Sequence, residues 1–479
     1  MAEALWNSEE IATTTSGVLH GEAFAASGVS IDTRTIKQGD LFIALVGDNT
    51  NGHQYLKQAH QAGAAGALVN FVPEDAPEGL PLMLVHHTQM ALEDLGRAAR
   101  KRSTAAIIGV TGSVGKTSAK EMLKLVLAPY GRVYATVGNY NNHLGLPISL
   151  ANMPRDTEFG VFEMGMNHAG EIEFLSRLGE PHVGLITTVE AVHLEFFDSV
   201  EGIARAKSEL FAGMAEGGPA ILNADNPYFT MMSELAVAHD LEVVGFGEAP
   251  SAEFRVLNST IDALGTVTEY SANGERRFFH LGSLGSHWPK LAVAVLAVVK
   301  ALALPLDKAE DALAGFTEAE GRGKIARLPW KGGEITLIDD AYNASPVSMK
   351  GALEKLGMID PEAKGRRVAV LGEMLELGAE SARFHSDLLA PLKAHHIDRV
   401  MLAGAWMEYL NAALPKPLKA GYEPQARDLT DALFAEIQAG DVVLFKGSHG
   451  SKVYKLVEAL KQQAGRDNQT HHVKVKNAL

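Results

Sequence analysis

Gly109-Val110-Thr111-Gly112-Ser113-Val114-Gly115-Lys116-Thr117 decides how this chain is read. Ahead of it, Ala105 to Val110 is an apolar run of strand length. Behind it, Ala119, Met122, Leu123, Val126 and Leu127 recur at helical spacing until Pro129 and Gly131 end the pattern. Strand, glycine-rich turn and helix in that order make a phosphate cradle. The glycines let backbone N–H groups turn inward on a polyphosphate, and the helix start adds its positive end. The lysine reaches the outer phosphates, and the Thr117 hydroxyl can hold a magnesium ion. The strict pattern has a glycine where this chain has Val110, so the loop is a variant. A bare strand-to-helix turn with a chance lysine is the competing reading, and the flanking pattern speaks against it.

Outward from the loop, apolar strands alternate with helical segments: Phe159 to Glu163, Val183 to Val189, Ala220 to Leu222 and Val243 to Phe246. This predicts βαβ units and a largely parallel sheet. A third alternation follows, with strands at Ile335 to Ile338, Val368 to Leu371, Arg399 to Leu402 and Val442 to Phe445. Before the loop, Leu41 to Val46, Gly66 to Val69 and Leu82 to Val85 surround one helical pattern, a small α/β unit. The expected fold class is therefore α/β in three domains, 1–85, 86–315 and 316–479, with a loose polar tail from about Arg466. The length of 479 residues agrees, at roughly 150 residues per domain. No repeat of 20 to 50 residues is present, which excludes a solenoid.

Lys and Arg number 43 against 58 Asp and Glu, a net charge of −15, the wrong sign for coating nucleic acid or an anionic membrane. With 46% hydrophobic and 21% charged residues the chain can bury real cores. The absence of cysteine removes disulfides, thiolate metal sites and thiol nucleophiles, and fits a reducing compartment. The start MAEALWNSEE lacks the apolar core of a secretory signal, and the apolar stretch Leu291 to Val299 is too short to span a bilayer. A cytoplasmic protein without membrane insertion is expected.

Phosphate chemistry needs metal ligands at neighbouring strand ends. Glu163 closes one strand ahead of Gly165, and a carboxylate there is a hard oxygen ligand for magnesium. His193 follows the strand Val183 to Val189, and Lys207 lies in ARAKSE. Taken alone, the first reads as a structural histidine and the second as a solvated helix lysine.

In order along the chain, TGSVGKTS (111–118), GNYNNHLGLP (138–147), FEMGMNHAGEI (162–172), AVHLEFF (191–197), ARAKSELF (204–211), NADN (223–226), GR (321–322) and IDDAYNASPVSM (338–349) resemble the Mur ligases. IDTRTIKQGDLFIALVGDNTNGHQY (31–55) is similar to the N-terminal domain of the branch that adds D-alanyl-D-alanine, as is the aspartate pair followed by YNASPVSM. No DNPR-type motif of the branch adding the third residue occurs.

The resemblance implies a three-domain fold: a UDP-binding N-terminal domain, a central P-loop domain with a mostly parallel sheet, and a Rossmann-like C-terminal domain that takes D-alanyl-D-alanine. It implies an ATP-dependent amide ligase in which the carboxylate of UDP-N-acetylmuramoyl-tripeptide becomes an acyl phosphate that the incoming amine attacks. ATP and two magnesium ions are the expected cofactors, and a monomer is expected. By resemblance, ATP is held by Thr111, Gly112, Ser113, Val114, Gly115, Lys116, Thr117, Asn223, Arg322 and Asp339. The metal ligands are Thr117, Glu163, His193 and Lys207, and Lys116, His193, Lys207 and Arg322 carry the chemistry. The family lysine matching Lys207 is commonly carbamylated, and an unmodified lysine on phosphate is the alternative. Asp32, Thr33 and Arg34 match the UDP-holding segment. Asn141, Asn142, Asn343 and Ser345 are substrate-contact candidates, with a solvated-loop role as the alternative.

Two departures stand out. The family's His-Asn-x-x-Asn segment is here His287-Trp288-Pro289-Lys290-Leu291, which leaves Trp288 or Asn223 to take up adenine; Glu373 in LGEMLELG replaces a common aspartate. A sister ligase using another amino acid, and a UDP-muropeptide binder that has lost ATP use, are the alternatives these residues leave open.

Overall fold

The computed structural model describes residues 4–47, 50–192, 194–262 and 265–476, in which three large β-sheets with flanking helices follow one another along the chain, besides a two-stranded ladder of Trp6–Asn7 with Ala25–Ala26. The first is five-stranded, Gly28–Ser30, Asp40–Ile43, Gly66–Val69 and Leu82–Leu84 pairing in parallel and Val18–His20 closing the edge antiparallel. Thr88–Arg102 packs the stripe Ala91, Leu92, Leu95 and Ala99 into this core together with Ile148 and Ala151 of the helix Gly145–Ala151, so the first sheet is fastened to the next.

The second sheet has nine strands. Ala106–Thr111 lies between Phe159–Glu163 and Val183–Ile186, all parallel, with Pro219–Asn223 and Glu242–Gly247 beyond. The chain leaves Ala106–Thr111 for strands on one side and returns on the other, so the crevice at its carboxyl end is a topological switch point. The far end differs from the parallel expectation: Phe254–Asp262, Gly265–Ala272 and Glu275–Leu281 form an antiparallel meander. The helix Trp288–Ala301 is buried on all sides of its apolar run Leu291 to Val299, which is why that run carries no polar stripe. Among the described residues no helix is long and apolar enough to cross a membrane.

The third sheet runs Lys324–Trp330, Gly333–Asp340, Val442–Lys446, Arg367–Gly372, Arg399–Ala403 and Lys419–Glu423, one antiparallel hairpin followed by parallel strands. Where composition predicts a loose tail from Arg466, the backbone continues the helix Tyr454–Lys476; the segment holds no Gly or Pro after Gly465 to stop it.

Candidate active site

The carboxyl ends of the second and third sheets face each other across a cleft of about 880 Å³. On the central side the glycine loop is its floor. Gly112 has φ +147° and Gly115 φ +88°, and a Cβ at Gly112 would lie 1.9 Å from Thr187 Oγ1, so the loop has its shape only with glycine there. Gly115 precedes the helix Lys116–Leu127 directly. The expected strand Val183 to Val189 ends at Ile186 because the next residues brace the loop instead: Ser113 N–H donates to the Thr188 carbonyl (2.8 Å) and Thr187 Oγ1 to the Val114 carbonyl (2.5 Å).

Lys116 Nζ donates to the Gly112 carbonyl at 2.6 Å. Burial pushes its pKa down, Glu163 opposes that and Arg322 adds to it, so groups of both walls share one electrostatic field. Glu163, 2% exposed, accepts from Thr117 Oγ1 and from Asn141 Nδ2, each at 2.8 Å. Thr111 Oγ1, at the end of the loop strand, is buried without a hydrogen-bond partner. A buried carboxylate against a hydroxyl at the start of the loop helix is a hard-oxygen donor pair that suits magnesium, with phosphate and water oxygens completing its shell. Among the described residues no three His, Asp or Glu side chains gather into a ready-made metal cage. Lys207, 2% exposed on the helix Val200–Ser208, has no hydrogen-bond or ion-pair partner among the described residues; burial, with Lys116 nearby, holds its pKa well below the ordinary lysine value. His193 lies outside the described residues.

On the opposite side the aspartate pair divides. Asp339 and Asp340 are neighbours on one strand and so point to opposite faces. Asp340 lines the cleft and accepts from Lys446 Nζ at 2.8 Å, with burial pushing its pKa up. Asp339 does not line the cleft: it accepts from Lys461 Nζ of the terminal helix at 2.9 Å. Asp339, expected at the nucleotide, thus stands outside the lining, and its neighbour stands in it. Arg322 lines the cleft, its guanidinium 4.2 Å from the Tyr342 ring centroid, and Tyr342 leans in turn on His449.

The remaining candidates separate in the same way. Asn141, Asn223, Asn343 and Ser345 line the cleft, whereas Asn142 accepts from the backbone N–H groups of Leu144 and Gly145 and so starts a helix. Ser345 also caps the helix Pro346–Met358. Asp32, Thr33 and Arg34 lie on the first unit, away from the cleft lining; Arg34, its side chain 87% exposed, is clamped to Asp32 at 2.5 Å. Trp288 reaches the lining but is held in the core: it is 4% exposed, donates its indole N–H to the Leu284 carbonyl and meets Phe316 edge-on. Asn223 remains. Glu373 accepts from Trp406 N–H and lies outside the lining. Sequence reasoning does not single out Asp340, Tyr342, Lys446 or Lys355: the first two sit unassigned within IDDAYNASPVSM, Lys446 ends a strand and Lys355 lies on a largely apolar helix.

The chain matches the Mur ligase middle domain over residues 110–299, the Mur ligase glutamate ligase domain over 326–449 and the Mur ligase family catalytic domain over 25–113. The chain belongs to the Mur ligase family. A Mur ligase of Rickettsia prowazekii, a UDP-N-acetylmuramoyl-tripeptide–D-alanyl-D-alanine ligase, is 33% identical over 95% of this chain and 99% of its own. The enzyme of the same name from Bacillus subtilis is 34% identical over 90% of this chain and 93% of its own. Among solved Mur ligases, MurF from Acinetobacter baumannii superposes with a TM-score of 0.82 at 27% identity, covering 96% of this chain and 99% of that one. MurF from Thermotoga maritima in complex with ADP gives 0.74 at 26%, covering 92% and 98%.

Proposed function

We propose that this Mur ligase joins D-alanyl-D-alanine to UDP-N-acetylmuramoyl-tripeptide and converts ATP to ADP and phosphate. The observation that carries the reading is the cleft itself, where a phosphate-holding loop faces Arg322 and Asp340 across a gap of substrate size. The relatives' names supply the substrates.

The tripeptide carboxylate attacks the γ-phosphorus of ATP; an acyl O–P bond forms and the bond to ADP breaks. The D-Ala-D-Ala amine then attacks the acyl carbon, loses a proton, and inorganic phosphate departs from the tetrahedral intermediate. All these groups are anionic, so the enzyme's task is charge neutralisation and alignment. Loop amides and Lys116 hold the β and γ phosphates, Arg322 faces the γ-phosphate from the other wall, and Asp340 in place of Asp339 anchors the nucleoside. Asn223 contributes beside the base. Asp32, Thr33 and Arg34 hold the UDP end, with Asn141, Asn343 and Ser345 nearer the peptide.

Magnesium held by Thr117 and Glu163, and a second ion by Lys207 and His193, would offset phosphate charge during transfer. Lys207 suits that role as a carbamate. Its depressed pKa favours the neutral amine, which adds CO2 with loss of a proton and so becomes an anionic oxygen ligand. One unit thus serves UDP, one ATP and one the incoming amine, all in a protein acting as a cytoplasmic monomer.

ADP release measured with a panel of amines tests this. Turnover should require the UDP-tripeptide and D-Ala-D-Ala together; equal turnover with single amino acids would point to a sister ligase, and ATP-independent binding alone to a sensor.

A further inference from the structure

Arg322 sits in a short joint, Phe316 to Gly323, between the last helix of the central unit and the first strand of the third sheet. A flexible joint is a poor place from which to aim a guanidinium at a phosphate. The joint is, however, pinned from inside. Lys355 Nζ, on the helix Pro346–Met358, donates to the Gly323 carbonyl at 2.8 Å, one residue past Arg322, and pairs closely with Glu318. Glu318 in turn accepts from the Ser283 hydroxyl, at the end of the central sheet's meander. All three are buried: Ser283 3%, Glu318 9% and Lys355 4% exposed.

The backbone on either side of Arg322 is fixed as well, Gly323 N–H to the Asp339 carbonyl (2.8 Å) and Tyr342 N–H to the Gly321 carbonyl (3.0 Å), with Gly321 and Gly323 both at positive φ. A buried lysine–glutamate pair adds little net stability over an apolar pair of the same size, so stability does not explain its presence at a joint. Its three members come from the central unit, the joint and the third unit.

We infer that Ser283, Glu318 and Lys355 are positioning residues: a buried relay that locks the Gly321–Gly323 turn and thereby holds Arg322 over the nucleotide cleft. The inference rests on the proposed contact between Arg322 and the γ-phosphate. Lys355 also lines the cleft, whereas Ser283 and Glu318 do not, so an effect of Ser283→Ala that depends on Arg322 acts through the turn and not through a direct contact.

A double-mutant cycle tests it with the full-length enzyme. Glu318→Gln with Lys355→Met replaces the ion pair by neutral groups of similar size and leaves no unpaired buried charge. In the unmodified background this pair should lower kcat about 10- to 100-fold, with KM for UDP-tripeptide and D-Ala-D-Ala within about threefold. In an Arg322→Ala background the same pair should change kcat less than about threefold, because the group it aims is gone. Ser283→Ala, which removes one hydrogen bond only, should show the same dependence on Arg322 with a smaller loss of about threefold to tenfold, and it serves where the paired variant does not fold. Equal losses in both backgrounds, or none in either, overturn the relay. A normal kcat for Arg322→Ala alone overturns the Arg322 reading instead, and is seen before the relay variants are compared.

Discussion

On the central side of the cleft the groups that would meet the phosphates come from one contiguous loop, held by hydrogen bonds from the neighbouring strand end and by two glycines at positive φ. On the C-terminal side they are assembled from residues far apart in the chain, held by lysine–carboxylate pairs: the buried Lys446 with Asp340 and Lys355 with Glu318 and, on the outer face, the more exposed Lys461 with Asp339. The first wall is specified by shape and the second by charge. A shaped cradle is intolerant of a single added carbon, whereas a charged wall can be rebuilt with neutral groups at little cost in stability and loses its aim instead.

The contrast can be broken at several points. Lys116→Ala should abolish ligation by about 10³-fold or more while thermal unfolding stays within a few degrees of the parent, because the lysine bonds only to the loop's own Gly112 carbonyl. Gly112→Ala should cost activity about 100-fold and also stability, by about 2–3 kcal/mol, since the new Cβ meets Thr187 and sits at φ +147°; denaturant melts and ADP release read the two effects. If it is tolerated, the central wall is not set by shape.

Asp340→Asn and Asp339→Asn change adjacent residues on opposite faces. The first should raise KM for ATP about tenfold; the second should leave KM within about twofold and cost ~1 kcal/mol through the half-exposed Lys461 pair. Equal KM effects would erase the distinction between the two faces.

The smallest expected effect is a pH dependence on the C-terminal side. His385 is fully buried, accepts from Met374 N–H at Nε2 (2.9 Å), and faces the Ser381 carbonyl at Nδ1 (2.6 Å), bracing the loop whose Leu375, Glu376 and Leu377 line the cleft. Burial depresses its pKa below the ordinary 6.5. As pH falls below 6.5, the unfolded chain takes up a proton that the folded chain refuses, so stability declines until the pH reaches the depressed value of His385. His385→Gln should flatten that decline in melts taken between pH 7 and pH 5.

How far the sequence could be read follows the same division. The cradle was legible because its chemistry is local: glycines, lysine and threonine at fixed spacing between an apolar strand and an amphipathic helix. Glu163 was legible as a strand-end carboxylate. For the aspartate pair, alternation dictates that one member faces the cleft, but choosing Asp340 over Asp339 needs the register against Val442–Lys446, a pairing across a hundred residues. Lys355 and Lys446 look like chance lysines until their partners are in place. Asn142 stays out of the lining for a local reason, since a helix start claims it first, and Trp288 reaches the lining only from within an apolar core. The antiparallel meander carries the hairpin signal Asn273-Gly274, both at positive φ, which strand–helix alternation alone does not register.

Both walls together form one amide-ligase site. The most direct test is the mass of the product after incubation with ATP, magnesium, UDP-N-acetylmuramoyl-tripeptide and D-alanyl-D-alanine. A UDP-linked pentapeptide should form in step with ADP and phosphate. Unchanged tripeptide, or ADP released without a new amide, would contradict it.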